Sequence, residues 1–465
     1  MTIDVKNMIS LVEIADRMRT GPKMAAKDWD MALFKKISEL VKEFKIKCPS
    51  EPSHWINTDD SLADAAWEAA VEFVIDVGCF CLDRERVVKF TEEEVKEAIR
   101  SMQKEVEMGE GKDARTWRQH EIEGTEPLNV APGHHAPFTE DLANTVVHNF
   151  AMIPRLDFLE GFNFPVIDGY EIYGAPLEAY ASKRQVAWLR EGIRKTGRPG
   201  AAIVYYPIST AASSFLATID PVSGLRPTDG VLLSVLPDVK VQYDLMTAAL
   251  VLQSYGYFGI SGSFGIAGGF AGGPEGAIIE GLVKTIVAWI VYRDNLYYNG
   301  VEHFSHVSGV RRCMFPISFA RSVVYQATIR NCDGIPMHWP IPVSELCTES
   351  HLEELTLRSI EATVNGANLY VPRVSRSRMN GGQTPADAEL MIEASDAAIG
   401  AGIKREEVYQ MFKPIITKLM VKSTPEPGKL ITECYDLRFH KPSPEYQELI
   451  SRVRKEFKDC GLQWQ

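Results

Sequence analysis

Apolar positions along this chain repeat in two rhythms, and the change between them divides it. Through residues 1–150 three segments, 28–47, 61–80 and 91–111, place apolar residues three and four apart, the spacing of one helix face. The last of these opens with Thr91-Glu92-Glu93-Glu94, a helix-cap signal. A loop at 125–139, carrying Pro127, Pro132, Gly133 and Pro137, ends this region. From about residue 155 short apolar runs alternate with helix-length amphipathic stretches. The runs fall at 156–164, 201–206, 230–236, 258–264, 301–307, 335–341 and 368–374, and the helices at 176–195, 241–256, 274–295, 310–331 and 344–366. Seven candidate strands predict an eighth, at 140–155 or after residue 400. Repeated βα units then favour an α/β (β/α)8 TIM barrel over an open doubly wound sheet. The expected organisation is a helical region at 1–150 packed on the barrel, the barrel at 151–422, and a C-terminal linker and helix at 423–465.

Composition narrows the class. The 465 residues are 45% hydrophobic and 24% charged, the balance of a folded globular protein. Fifty Lys plus Arg stand against 62 Asp plus Glu, a net charge of −12, so no basic footprint for nucleic acid is present. The longest apolar stretch, within 277–292, is interrupted by charge before it would span a bilayer. Eight scattered cysteines and an N-terminus without a signal-peptide pattern lead us to expect a cytoplasmic protein with free thiols.

In a barrel the carboxyl ends of strands carry the chemistry. That rule selects Tyr205, Tyr206, Asp238, Ser261, Ser263, His303, His306, Met337, His338, Trp339 and Arg373. The glycine-rich loop from Gly259 to Gly273 matches neither a phosphate-binding loop nor a dinucleotide fingerprint, and it reads as a permissive loop that lets another surface approach. No CxxC, HExxH or GxSxG motif appears, which disfavours metal and acyl-transfer chemistry. Tyr205, Tyr206, Tyr257, Phe258, Phe264 and Trp339 offer ring faces that would hold a cation, or else pack the barrel rim.

Several segments together resemble one family. They are DWDMALF, VKFTEEEVKEAI with MGEGKDA, TGRPGAAI, GIAGGFAGG, and ECYDLRF followed by PSPEYQEL and CGL, in order over nearly the whole chain. They are similar to the monomethylamine:corrinoid methyltransferases of methanogenic archaea. The resemblance implies a homo-oligomeric (β/α)8 barrel that moves methyl from a methylamine to the Co(I) of a corrinoid (cobalamin) carried by a separate corrinoid-binding protein. It also implies a pyrrolysine four residues after the GRPG turn, where this chain has Val204, or Tyr205 with the loop shifted by one. The family's two pocket glutamates and a glutamine align with Leu232, Gly262 and Ile335.

The expected function is therefore a pyrrolysine-independent, corrinoid-dependent methyltransferase, with a quaternary or N-methylated amine as first choice of methyl donor. Tyr205, Tyr206, Ser261, Ser263, His303, His306, His338, Trp339 and Arg373 are the expected donor contacts. Gly268, Gly269, Gly272 and Gly273 would admit the corrinoid partner. The alternatives are a metal-dependent barrel hydrolase using His134, His135, His303 or His338, and a relative that only docks the corrinoid protein.

Overall fold

The computed structural model describes residues 8–464 apart from 134–135, 304–313, 371, 373, 375–377 and 423–424. Eight parallel strands form its centre: β1 (Val130–Ala131), β2 (Phe158–Glu160), β3 (Ala202–Tyr205), β4 (Gly230–Leu232), β5 (Phe258–Gly262), β6 (Asp294–Tyr298), β7 (Ile335–His338) and β8 (Asn368–Tyr370). They hydrogen-bond in the order β1-β8-β7-β6-β5-β4-β3-β2. At the remaining seam Asp157 joins β2 to β1: its backbone N–H donates to Val130 O at 3.0 Å, and its carboxylate accepts from Val130 N at 2.8 Å. The sheet closes into a barrel.

Each strand is followed by a helix: α1 (Glu140–Ala151), α2 (Ala175–Lys195), α3 (Ala212–Leu216), α4 (Tyr243–Ser254), α5 (Pro274–Tyr292), α6 (Met314–Asn331), α7 (Glu349–Val364) and α8 (Pro385–Ala401). α5 is entirely buried from Gly276 to Tyr292 and almost wholly apolar there, with Glu280 and Lys284 its charged residues. The reason is its covering: the N-terminal helices Ala26–Glu43 and Asp60–Asp76 pack across it. The first of these buries Trp29, Leu33, Ile37 and Leu40, a single stripe at helical spacing. At the other end of the chain, the helix Pro444–Asp459 is capped by Ser443, with Pro444 at its first position, and buries Tyr446, Leu449, Ile450, Val453 and Phe457. Among the described residues no helix is long and apolar enough to cross a membrane.

Three expectations are corrected. The eighth strand is Val130–Ala131, inside the loop assigned to the N-terminal region, so the barrel begins some twenty residues earlier than 151. Two residues beside a proline give no periodic signal. The sixth strand is Asp294–Tyr298, with Val301–His303 instead forming a small parallel ladder with Gly265–Ala267. Only Arg293, in left-handed conformation, separates α5 from this strand, so helix and strand merge into one apolar run. Third, the helix opened by the Thr91–Glu94 capping box stops at Arg100. Residues Glu105–Met108 pair with Arg115–Arg118 as an antiparallel hairpin.

That hairpin plugs the barrel's amino end. Gly109 N donates to Thr228 O and Glu110 N to Gly200 O, tying its tip to the segments entering β4 and β3. Met108 and Trp117 are fully buried and join the side chains that fill the barrel, with the Trp117 and Phe158 rings 4.8 Å apart. Trp117→Ala is expected to cost about 3–5 kcal/mol, the range for emptying a buried aromatic site. Chemical denaturation of the two proteins checks this.

Candidate functional site

Residues on a strand alternate between the two faces of its sheet, and closure turns that alternation into inside and outside. Ala202, Val204 and then Tyr206 face in, as do Ile260, Leu296, Tyr298, Ile335, Met337, Trp339 and Tyr370. The interior above the hairpin is a continuous aromatic column. Tyr298 stacks on Tyr370 with centroids 5.2 Å apart and 17° between planes. Trp339 lies 4.9 Å from Tyr298 and 5.8 Å from Phe264.

Glu160, the last residue of β2, sits in this column. It pairs across the sheet with Val204, is 1% exposed, and accepts a hydrogen bond from the Tyr370 hydroxyl. Burial pushes its carboxyl well above the ordinary carboxylate range. At the carboxyl end of the strands a cavity of about 240 Å³ opens, walled by Tyr206, Leu232, Ser234, Phe264, Tyr298 and Trp339. Its volume lies a little below the usual range of about 300–1,000 Å³ for small-molecule sites. Gly262 also lines it. A Cβ there would come within 2.6 Å of the Tyr298 ring and hydroxyl, so the tyrosine fills space that a side chain at 262 would take.

α5 contributes Lys284 to the same cavity. Its ammonium donates to Phe264 O at 3.0 Å and lies 5.3 Å from the Phe264 ring centroid. Glu280, one turn earlier, accepts from Asp238 N at 2.8 Å and Ile266 N at 2.9 Å. Both side chains are buried, which lowers the lysine pKa and raises that of the glutamate.

Of the expected donor contacts, Tyr206 and Trp339 lie in the cavity wall. Four others face away. Tyr205 points into the helical layer, its hydroxyl 2.7 Å from Ser182 Oγ on α2 and its ring edge-on to Phe215. His338 is fully buried, with Nδ1 2.8 Å from the Tyr325 hydroxyl of α6. Burial, with Arg321 and Arg358 nearby, holds that imidazole well below its ordinary pKa. Ser261 lies between the inward positions Ile260 and Gly262 and so faces out. Ser263 meets Thr285 of α5 at 3.5 Å. The cause is common to all four: nearness to a strand end in sequence carries no information about the in-out register.

His303 is half-buried at the end of the outlying ladder, where burial lowers its pKa. His134, His135, His306 and Arg373 lie outside the described residues. Among the described residues one trio has metal-ligand spacing, Glu349, Glu353 and Glu456. Lys418 bridges all three carboxylates, an ion network that ties the helices Glu349–Val364, Val408–Val421 and Pro444–Asp459 together. The described cysteines are free thiols. Gly268, Gly269 and Gly273 are exposed in a tight turn, where Gly268 N donates to Gly272 O at 2.7 Å. Gly268 and Gly272 have φ of +88° and +83°, which an L side chain rarely adopts. Phe270 and Phe34, 43% and 45% exposed, flank this turn.

Sequence reasoning missed Glu160, Lys284, Tyr298 and Tyr370. A signal for two of them existed. Glu160 ends a strand, and Glu280 with Lys284 is a charged i, i+4 pair inside an otherwise apolar helix. Tyr298 was lost with its strand.

The chain matches the model of the monomethylamine methyltransferase MtmB family over residues 9–462. Monomethylamine methyltransferase MtmB of Methanosarcina mazei is 26% identical over 453 residues, 96% of this chain and 97% of that protein. Monomethylamine methyltransferase MtmB2 of Methanosarcina acetivorans is 25% identical over 463 residues, 98% and 99% of the two chains. The crystal structure of the Methanosarcina barkeri monomethylamine methyltransferase (MtmB) superposes with a TM-score of 0.89 at 24% identity, over 98% of each chain. The structure of a hydroxylamine MtmB complex gives 0.90 with the same identity and coverage. These two likenesses establish the shared barrel fold.

Two outcomes test the site's construction. Gly262→Ala is expected to displace Tyr298 and to destabilise by about 1–3 kcal/mol, as overpacking does, read by denaturation and by a change in near-ultraviolet circular dichroism. Because the folded-state pKa of Glu160 is raised, its contribution to stability is complete below the ordinary carboxylate pKa of 4.5 and is lost as pH rises through the raised value. Glu160→Gln should therefore gain thermal stability relative to the parent at pH 8 compared with pH 5. An equal offset at both pH values would contradict the assignment.

Proposed function

Since this chain belongs to the monomethylamine methyltransferase MtmB family, a family of methyltransferases, we propose that it moves a methyl group from a quaternary N-methylated amine to Co(I) of a corrinoid carried on a partner protein, without pyrrolysine. The observation that carries this reading is the pairing of Val204 with Glu160 inside an aromatic column. By the spacing from the GRPG turn, Val204 is matched to the family's pyrrolysine, or Tyr205 with the loop shifted by one, and neither is an electrophile. Val204 is fully buried and chemically inert, so no electrophile is available there to tie up an amine lone pair.

A primary, secondary or tertiary amine has such a lone pair and leaves poorly. A quaternary ammonium has none. The methyl carbon passes to cobalt(I), the C–N bond breaks, and its electron pair stays on nitrogen as a neutral tertiary amine. The protein has then to bind a cation, aim one methyl at the mouth and exclude water. Tyr206, Tyr298 and Trp339 offer ring faces to a cation, and Glu160 offers a carboxyl behind them. Burial biases that carboxyl toward its neutral form. An arriving cation favours the carboxylate, so binding expels a proton, and departure of the neutral amine allows it to return. The turn at Gly268–Gly273, with Phe270 and Phe34 beside it, is where the corrinoid protein would approach closely.

The reading is tested by following loss of cob(I)alamin absorbance with tetramethylammonium and other quaternary amines, set beside mono-, di- and trimethylamine. Methylation by quaternary donors alone is expected. Methylation by monomethylamine, or by no N-methyl donor, would overturn it. Trp339→Leu should raise KM for a quaternary donor about tenfold, the effect of one desolvated cation–π contact. The KM of the parent should fall as pH rises toward the Glu160 pKa, because binding releases a proton, and Glu160→Gln should abolish that slope.

A further inference from the structure

A cation-binding chamber accounts for the rings and for Glu160 but leaves one group unexplained: a buried ammonium in the wall of the same cavity. Lys284 is 1% exposed and lines the cavity together with Tyr206, Ser234, Phe264, Tyr298 and Trp339. Its one hydrogen bond to a described residue is to Phe264 O. An ammonium has three N–H donors, so two are not used by the described residues. Its natural partner is occupied elsewhere. Glu280 spends one oxygen on Asp238 N and the other on Ile266 N, and it acts on Lys284 through the field rather than through contact. Asp238 also acts at a distance, and its carboxylate contacts Lys240 at 3.4 Å. A lysine taken out of water with part of its valence unused is costly unless a ligand completes it. Ser234 adds a hydroxyl to the same wall, 3.5 Å from the Tyr298 hydroxyl.

We propose that Lys284 and Ser234 bind an anionic group of the methyl donor, a carboxylate, so that the substrate is a zwitterionic, N-methylated ammonium carboxylate rather than a simple amine. This rests on the methyl-transfer reading above and specifies its substrate. The geometry separates the two charges. The carboxyl of Glu160 reaches the cavity through Tyr370, which stacks on Tyr298, while Lys284 lies on the α5 side beside Phe264. A donor with its ammonium toward the rings and its carboxylate on Lys284 meets the opposite charge at each end. During transfer the C–N bond to one methyl breaks, its electron pair remains on nitrogen, the methyl carbon bonds to cobalt through the electron pair that cobalt(I) supplies, and the carboxylate is unchanged. The product is a tertiary amino acid.

The experiment measures binding of N,N,N-trimethylglycine, its two next longer homologues, choline and tetramethylammonium by calorimetry, to the full chain and to K284M and K284R, with cob(I)alamin methylation run on the same donors. For the parent, one of the carboxylates is expected to bind about ten- to hundredfold tighter than choline and tetramethylammonium, the range for a charge-assisted hydrogen bond. K284M should collapse that ratio toward one, and K284R should restore part of it. Equal affinities in the parent, or a K284M variant that weakens every cation by the same factor, would overturn the inference. Should K284M fail to fold, the comparison among donors in the parent still decides. If a carboxylate binds through Lys284 but no methyl reaches cobalt, the methyl-transfer reading fails and the anion site stands. If tetramethylammonium donates its methyl as efficiently as any carboxylate, the reading stands and the anion site fails.

Discussion

Closing eight parallel strands into a barrel gives every second residue a single place to go. With no free sheet edge, a side chain is either inside with the aromatic column or outside under a helix, and a shift of one residue exchanges the two. This constraint sorts the site. Tyr205 and Tyr206 are neighbours in sequence, yet the first is locked to Ser182 of α2 and the second lines the cavity. His338 and Trp339 divide in the same way, the histidine bonded to Tyr325 and the tryptophan packed on Tyr298. The seam held by Asp157 and Val130 matters because it completes the closure on which this sorting depends.

The interior is filled by matching large against small. Tyr298 occupies the space above Gly262, and Trp117 rises from the hairpin to meet Phe158. The result is a barrel sealed at its amino end and open at its carboxyl end, the polarity that enzymes of this architecture share. In this apolar setting each charged group counts heavily, because little solvent screens it. Glu160 and Lys284 are such groups, the first bonded to Tyr370 in the aromatic column and the second in the wall of the cavity above it.

The N-terminal helices explain how α5 is able to carry Lys284. An ordinary barrel helix shows solvent a polar face. Here the helices Ala26–Glu43 and Asp60–Asp76 cover that face, so the buried span of α5 is apolar but for two charged residues: Glu280, which accepts from Asp238 N and Ile266 N, and Lys284, which lines the cavity. The N-terminal region thus acts on the site at one remove: it makes the dry setting in which the donors that Lys284 does not spend on the described residues have consequences.

The alternation of short apolar runs with amphipathic helices was enough to favour a (β/α)8 barrel over an open doubly wound sheet, because βα periodicity is a local property of neighbouring residues, whereas strand order is not. The motifs at both ends and in the middle specified the family for the same reason. Strand Val130–Ala131 was invisible because two residues have no period, and strand Asp294–Tyr298 because a helix ran straight into it. Of the site, the sequence marked Tyr206 and Trp339, whose position at strand ends is readable from order alone. Whether a strand-end residue faces the chamber depends on register, and register is set by hydrogen bonds to strands far away in the chain. Glu160 meets Tyr370 across 210 residues, and Lys284 reaches the cavity only because α5 folds back over β5. Those convergences belong to the closed barrel, and only the tertiary structure decided them.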